Sequence, residues 1–109
     1  MQVFRFLTIA FLFFSLTVKA QLTDFNLEVT KTDETCLSNG SLTFDISNET
    51  EGSDFIFKVY LLPNVTNPIS ILTDNYLGGL SAGNYRVEAI QALGEFSNSA
   101  EFDITINEN

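Results

Sequence analysis

The chain has 109 residues, of which 14 are acidic and 5 are basic, and its formal net charge at pH 7 is −9. This acidity argues against binding to nucleic-acid phosphates or to anionic lipid. The chain has no histidine and only one cysteine, which excludes an ordinary zinc or copper site and an internal disulfide bond within one chain.

The first predicted element is a secretory signal peptide over residues 1–20. Arg5 supplies a basic start, residues 6–18 form an apolar run, and Ala20 completes a small-residue cleavage site. The apolar run is too short to span a bilayer comfortably. We therefore expect cleavage after Ala20, no stable membrane insertion afterwards, and a secreted or cell-surface location.

Cleavage would leave residues 21–109, a length that suits one domain with one core. Arg5 and Lys19 would leave with the signal peptide, so three basic and fourteen acidic residues remain, a net charge of −11. With a single cysteine, this domain must be stabilised by packing rather than by disulfide bonds.

Apolar and polar residues alternate along most of the chain after the signal peptide, which is the pattern of half-buried strands. The pattern predicts seven short strands, in the segments FNLEVTK, SLTFDIS, DFIFKVYLLP, ISILT, YLGGL, NYRVEAIQ and AEFDITI. Turn-forming residues separate the segments, and no stretch has a sustained helical period. Seven strands in so short a chain predict an all-β fold, an immunoglobulin-like sandwich of two antiparallel sheets.

The strands DFIFKVYLLP and NYRVEAIQ are predicted neighbours in one sheet, so their outward residues share a face. These residues form the candidate partner-binding face: Ile56, Lys58, Tyr60, Arg86, Glu88 and Ile90. One interpretation is cross-strand ion pairing between Lys58 or Arg86 and Glu88, with the apolar side chains scattered singly. The other is a continuous exposed patch of Ile56, Tyr60 and Ile90 that binds a neighbouring module or a surface ligand.

Residues 79–83, GLSAG, match the G-x-S-x-G pattern in which hydrolases place a nucleophilic serine. In that motif a helix follows the serine and a histidine takes its proton. Here an alternating strand follows Ser81 and the chain has no histidine. Lys31 and Lys58 lie in strand patterns, and no motif links either to Ser81. We therefore expect no catalytic residue, no cofactor and no enzymatic activity.

The same segment has the spacing of a tyrosine corner, formed by Leu80, Gly83 and Tyr85. In sandwich domains, a tyrosine at the start of the sixth strand donates a hydrogen bond to the backbone a few residues upstream. The glycines allow a tight turn there, and Leu80 would enter the core. The alternative is that Tyr85 is an ordinary core aromatic.

Two further features carry weaker signals. The acidic clusters Asp33-Glu34 and 49–54 fall at predicted loops, but no D-x-D-x-D-G calcium loop is present, which favours solvated loop charge. No cationic residue stands near Cys36, so we expect a buried or semi-buried thiol rather than a reactive one. An intermolecular disulfide is the alternative interpretation of Cys36.

Three segments, ETCLSNGSLTFDIS, FKVYLLPNVTNPIS and YLGGLSAGNYRVEAIQALGEFSN, together resemble the immunoglobulin-like repeat modules of large adhesins that gliding Gram-negative bacteria export by type IX secretion. The resemblance extends from about Phe25 to Ile106, and its most specific part is L-S-A-G-x-Y-R-V. It implies a structural or adhesive unit, arranged in tandem and displayed outside the cell. Those adhesins are long and end in a sorting domain, whereas this chain stops just after its last predicted strand. A truncated gene, an N-terminal fragment and a solitary secreted module stay open.

A carbohydrate-binding or accessory module of a secreted polysaccharide-degrading system is the alternative class. Sugars stack on flat aromatic rings. The chain has no tryptophan, and only Tyr60 and Tyr76 are expected at the surface. The partners expected from the sequence are thus neighbouring modules of the same or another surface protein, or a surface glycan.

Overall fold

The computed structural model describes residues 22–108, so the predicted signal peptide and its cleavage site lie outside the described residues. Within this range the chain forms strands β1 (Asn26–Thr32), β2 (Gly40–Ser47), β3 (Asp54–Leu61), β4 (Ser70–Leu72), β5 (Tyr76–Leu80), β6 (Gly83–Leu93) and β7 (Phe96–Ile106). No helix that is long and apolar enough to cross a membrane occurs between residues 22 and 108.

The strands form two antiparallel sheets, one of three strands in the order β1-β2-β5 and one of four strands in the order β4-β3-β6-β7. This arrangement confirms the predicted all-β, immunoglobulin-like sandwich. Strand β4 pairs with β3. In a constant-type immunoglobulin domain the fourth strand instead joins the sheet that contains the first and second strands. The four-stranded sheet consequently has two interior strands, β3 and β6.

The core lies between the two sheets and is built by the period-two alternation of each strand. Phe44 of one sheet stacks on Phe57 of the other, with ring centroids 4.8 Å apart. Burial of each such apolar side chain contributes roughly 1.5–3 kcal/mol relative to its exposure. The buried core residues are Phe25, Val29, Leu42, Phe44, Phe57, Val59, Leu80, Tyr85, Val87, Ala89 and Ile106.

One polar side chain, Gln91, is fully buried at the N-terminal end of the sandwich. Its Oε1 accepts hydrogen bonds from the Thr50 amide at 2.7 Å and from the Ser53 hydroxyl at 2.9 Å. Its Nε2 donates to the Thr23 carbonyl at 3.1 Å and to Asn98 Oδ1 at 2.9 Å. All four hydrogen-bonding positions of the amide are therefore used, and they join the segment before β1 to the β2–β3 loop, β6 and β7.

The chain enters and leaves the sandwich at opposite ends. Thr23 is bound beside Thr50 at one end. At the other end, the Glu34 amide donates to the Asn107 carbonyl at 2.9 Å, next to a parallel bridge between Glu34 and Glu108. Strand β1 runs between these two points, and its seven residues span about 23 Å at about 3.3 Å per extended residue.

Candidate functional site

The corner around Ser81 is held by a buried tyrosine. The Tyr85 hydroxyl donates a hydrogen bond to the Ser81 carbonyl at 2.6 Å, which is the contact that defines a tyrosine corner. Leu80 enters the core, and Gly79 adopts a φ of +70°, a conformation that favours glycine. Burial is the main cause that raises the pKa of Tyr85, and the charge of Glu34 raises it further. The hydroxyl therefore stays protonated and able to donate at neutral pH.

The hydroxyl of Ser81 lies 3.0 Å from the hydroxyl of Ser38. Ser38 in turn donates its backbone amide to the buried Glu34 carboxylate at 2.7 Å. Within residues 22–108, no carboxylate or amine is bonded to the Ser81 hydroxyl, and strand β6 rather than a helix follows the serine. A nucleophilic serine needs a base within hydrogen-bond reach. These bonds instead join the β1–β2 loop to the corner.

The structure brings the six residues of the candidate partner-binding face together on neighbouring strands of the four-stranded sheet. In the register of β3 and β6, Ile56 is opposite Ile90, Lys58 is opposite Glu88, and Tyr60 is opposite Arg86. All six point away from the core, because their neighbours along each strand, such as Val59 and Val87, are buried. We call the outward surface of β4, β3, β6 and β7 the outer face.

Tyr60 is buried, although the sequence predicts it at the surface. Its exposed fraction is only 9%, whereas Ile56 is 41% exposed. Tyr60 lies on the interior strand β3, directly opposite Arg86 of β6. Burial is the main cause that raises the pKa of Tyr60, followed by the charge of Glu88, to which its hydroxyl donates at 3.4 Å. The expected continuous exposed patch of Ile56, Tyr60 and Ile90 is therefore wrong for Tyr60, which is buried and lies two rows away from the Ile56–Ile90 pair.

Arg86 forms an ion pair with Asp103 on the neighbouring strand β7, and not with Glu88 as expected. Arg86 donates from Nε and Nη2 to the two carboxylate oxygens of Asp103 on β7, at 2.7 and 3.0 Å. The hydrogen bond from Arg86 is the main cause that lowers the pKa of Asp103. Asp103 is directly opposite Arg86 in the β6–β7 register, and it offers the bidentate geometry that guanidinium prefers.

Lys58 forms no ion pair with Glu88, although the two residues are directly opposite. Among residues 22–108, ion pairs within 4.0 Å join Lys31 to Asp33 and Arg86 to Asp103. Glu88 also faces Glu101 across the β6–β7 register, and like charges at such positions repel. Lys58, Glu88 and Glu101 thus lie in one row of the sheet and form no ion pair among residues 22–108, although Glu88 accepts the hydrogen bond from Tyr60.

Strand β4 and the residue before it add two exposed apolar residues, Ile71 and Ile69, that were not predicted as part of this surface. Ile71 is directly opposite Lys58 and is 61% exposed, and Ile69 is 49% exposed. The alternation I-S-I in residues 69–71 was the available signal. Lys58 is consequently flanked by apolar side chains on two strands, Ile56 on its own and Ile71 on β4.

The loop features also differ in part from expectation. Cys36 is exposed rather than buried, because it lies in the β1–β2 loop beside Leu37, which is 92% exposed. The nearby carboxylates are engaged by hydrogen bonds: Asp33 accepts from Lys31 and from the Asn107 amide, and Glu34 from Ser38. In the described part of the chain, no three side chains of the metal-binding types gather in one place.

Two aromatic rings are more than half exposed, Tyr76 at 55% and Phe96 at 51%. Tyr76 belongs to β5 in the three-stranded sheet, where its ring lies over Gly78. Phe96 begins β7 in the four-stranded sheet. The two rings therefore do not form a shared platform for sugars.

Comparison of the chain with models of known protein families, with curated proteins and with solved structures finds no significant match. The resemblance to adhesin modules thus depends on the sequence segments quoted above. Of the two candidate sites, the Ser81 corner is closed by bonds within the chain. The outer face presents a cation, two carboxylates and apolar side chains to solvent.

Proposed function

We propose that this protein is a non-enzymatic structural or adhesive module, exported and displayed at the cell surface, which binds its partner through the outer face. The observation that carries the proposal is Lys58, which has no ion-pair partner among residues 22–108 and stands between the exposed Ile56 and Ile71. Exposed apolar side chains that are grouped together and bordered by polar groups are typical of surfaces that bind other proteins.

The signal peptide predicted over residues 1–20 supports export. The large excess of acidic residues favours solubility outside the cell.

The position of the chain ends supports a tandem arrangement. Thr23 and Glu108 lie at opposite ends of the sandwich. Modules of this geometry joined in series form an extended rod, because each continues in the direction of the last. Such a rod suits a spacer that carries binding faces away from the cell, as in the adhesins whose repeats the sequence resembles.

The absence of enzymatic activity belongs to the same proposal. Its support is the environment of Ser81, whose hydroxyl is bonded to another serine hydroxyl. No histidine is present anywhere in the sequence. A serine without a base has little reactivity at neutral pH.

A carbohydrate-binding module is the second candidate, and one observation favours it. The ring of Tyr76 lies beside Gly78, and the side chain is 55% exposed, so the ring is accessible for stacking on a sugar. A single ring gives a small contact area, which ranks this function below adhesion. Binding of soluble polysaccharides that is lost in Tyr76→Ala would reverse that ranking.

The test of the proposed function compares host cells with and without the gene. Antibody against the protein should stain intact cells that carry the gene. Deletion should reduce adhesion between cells or to surfaces, and the wild-type gene should restore it. Staining confined to opened cells, or unchanged adhesion after deletion, would contradict the proposal.

A further inference from the structure

We propose that the outer face binds the outer face of a second copy of this chain, about a two-fold axis that runs parallel to the strands between β3 and β6. This inference names the partner of the surface on which the proposed function rests. Its support is the cross-strand register of β3 and β6, together with Lys58 and Glu88, which form no ion pair among residues 22–108.

A two-fold axis in this position exchanges the two interior strands of the sheet. Each outward residue then meets, in the second copy, the residue that is its own cross-strand neighbour. Ile56 meets Ile90 of the second copy, because Ile56 and Ile90 are opposite each other in the sheet. Lys58 meets Glu88 of the second copy for the same reason. Every contact occurs twice, as a two-fold interface requires.

The pairing of β3 with β6 of the second copy is complementary in chemistry at each row. The isoleucine row places apolar side chains against apolar side chains, and Ile56 is 41% exposed. The next row places an ammonium group against a carboxylate, and Lys58 lacks an ion pair among residues 22–108. In the third row, Arg86 faces the largely covered ring of Tyr60. No row places like charges in contact.

Other partners fit the interior rows less well. An acidic partner that satisfied Lys58 would be repelled by Glu88 and Glu101, which are in the same row of the sheet. A neutral glycan offers no charge to either group. A second copy supplies an anion for the lysine and a cation for the glutamate together.

The interface is small, and its affinity should be low. With eight residues on each of three strands and the three residues of β4, the footprint is about 430 Å², at about 3.3 Å per residue and about 4.8 Å per strand. This is below the roughly 800 Å² per partner of a stable complex. At the edges, Ile71 faces Glu101 of the second copy. The net negative charge opposes association, although salt screens charges beyond about 8 Å under physiological conditions. Weak contacts of this kind become effective when many modules are presented together.

The test uses charge exchange in the full-length protein, purified after expression in an exporting host. Sedimentation velocity should show the wild type shifting from monomer to dimer between about 10 µM and about 1 mM, the affinity range of weak interfaces. Lys58→Glu and Glu88→Lys alone should each weaken dimerisation at least about tenfold, since each places like charges in contact twice. An equimolar mixture of the two variants should form heterodimers as readily as the wild type.

Lys58 and Glu88 are also opposite each other within one sheet, so either substitution places like charges side by side in its own chain. The mixture separates this effect from repulsion across the interface, because only the contacts between the two chains become attractive again in a heterodimer. Glu101→Lys is the matched control, since it makes the same charge change as Glu88→Lys at the edge strand, and it should keep dimerisation. Unfolding midpoints of all variants verify that they fold. If either variant fails to fold, NMR shifts of wild-type β3 and β6 amides on dilution provide the same test without a substitution.

A wild type that stays monomeric throughout, a mixture without heterodimers, or Glu101→Lys weakening dimerisation as much as Glu88→Lys would each overturn the inference. Failure here is distinguishable from failure of the proposed function. A monomeric protein that still restores adhesion to deletion cells has another partner on its surface. If the protein dimerises but deletion of its gene leaves adhesion unchanged, the interface is correct and the proposed function is wrong.

Discussion

Tyr85→Phe removes the hydroxyl group that donates the hydrogen bond of the tyrosine corner. Tyr85 is 2% exposed, and its hydroxyl donates to the Ser81 carbonyl at 2.6 Å. A typical hydrogen bond contributes about 1 kcal/mol net, and leaving a buried partner unsatisfied costs about 1–3 kcal/mol. Ser81 itself is exposed, so water can partly replace the lost donor, and we expect a loss of about 1 kcal/mol.

Urea unfolding measures this loss. With a slope near the low end of about 1–3 kcal/mol/M for small proteins, the midpoint should fall by up to about 1 M, and the melting temperature by about 4–8 °C. The slope itself should not change, because both forms expose the same surface. Tyr76→Phe is the matched control, since Tyr76 is 55% exposed, and its midpoint should equal that of the wild type. A Tyr85→Phe midpoint that coincides with the control would refute the corner as a stabilising contact.

Three further outcomes are expected. Gln91→Leu should destabilise the domain by about 3 kcal/mol in the same assay, because four hydrogen bonds of about 1 kcal/mol each are lost and part of that loss is offset by the apolar side chain; an unchanged midpoint would contradict the role given to that side chain. In the folded state the pKa values of Tyr85 and Tyr60 are raised above the ordinary value of 10.0. The protonated hydroxyls therefore contribute fully to the free energy of unfolding below pH 10, and this contribution is lost as the pH rises through the folded-state pKa values. Urea midpoints at increasing pH should fall above pH 10 and fall less in Tyr85→Phe. Intact mass of the exported protein should correspond to a chain that begins at Gln21, and a product that retains residues 1–20 would contradict the signal peptide.

The sheets could be predicted from the sequence because period-two alternation is a local property. Val87 and Ala89 alternate with polar residues, and both are buried in β6. The tyrosine corner is also local, since Tyr85 bonds to a residue only four positions upstream. The inward direction of Gln91 follows from the same alternation, although its hydrogen bonds to three other segments do not.

The hairpin between β6 and β7 shows what local patterns miss. The segment GEFSNS reads as a loop, whereas β7 begins at Phe96 after a turn in which Gly94 has a φ of +61°. That tight turn sets the register that places Asp103 opposite Arg86. Arg86 therefore pairs with Asp103 and not with Glu88 because of the register between β6 and β7. This register cannot be deduced from the sequence of either strand alone.

Exposure within the outer face is equally non-local. Ile56 and Tyr60 occupy equivalent outward positions of β3, yet one is 41% exposed and the other 9%. Their neighbours on β6 differ, since Ile56 is opposite Ile90 and Tyr60 is opposite Arg86. For this reason, Ile56 and Ile90, not Tyr60, are the residues to change when the face is tested.

The claim that the outer face, and not the Ser81 corner, carries the function is tested most directly by adhesion of deletion cells complemented with paired variants. Ile56→Ser with Ile90→Ser should fail to restore adhesion while the protein still folds and is displayed. Ser81→Ala should restore adhesion fully, and so should Leu37→Ser, which removes an apolar side chain that is 92% exposed away from the sheet. Adhesion that survives the double isoleucine variant, or that is lost in Ser81→Ala, would contradict the claim.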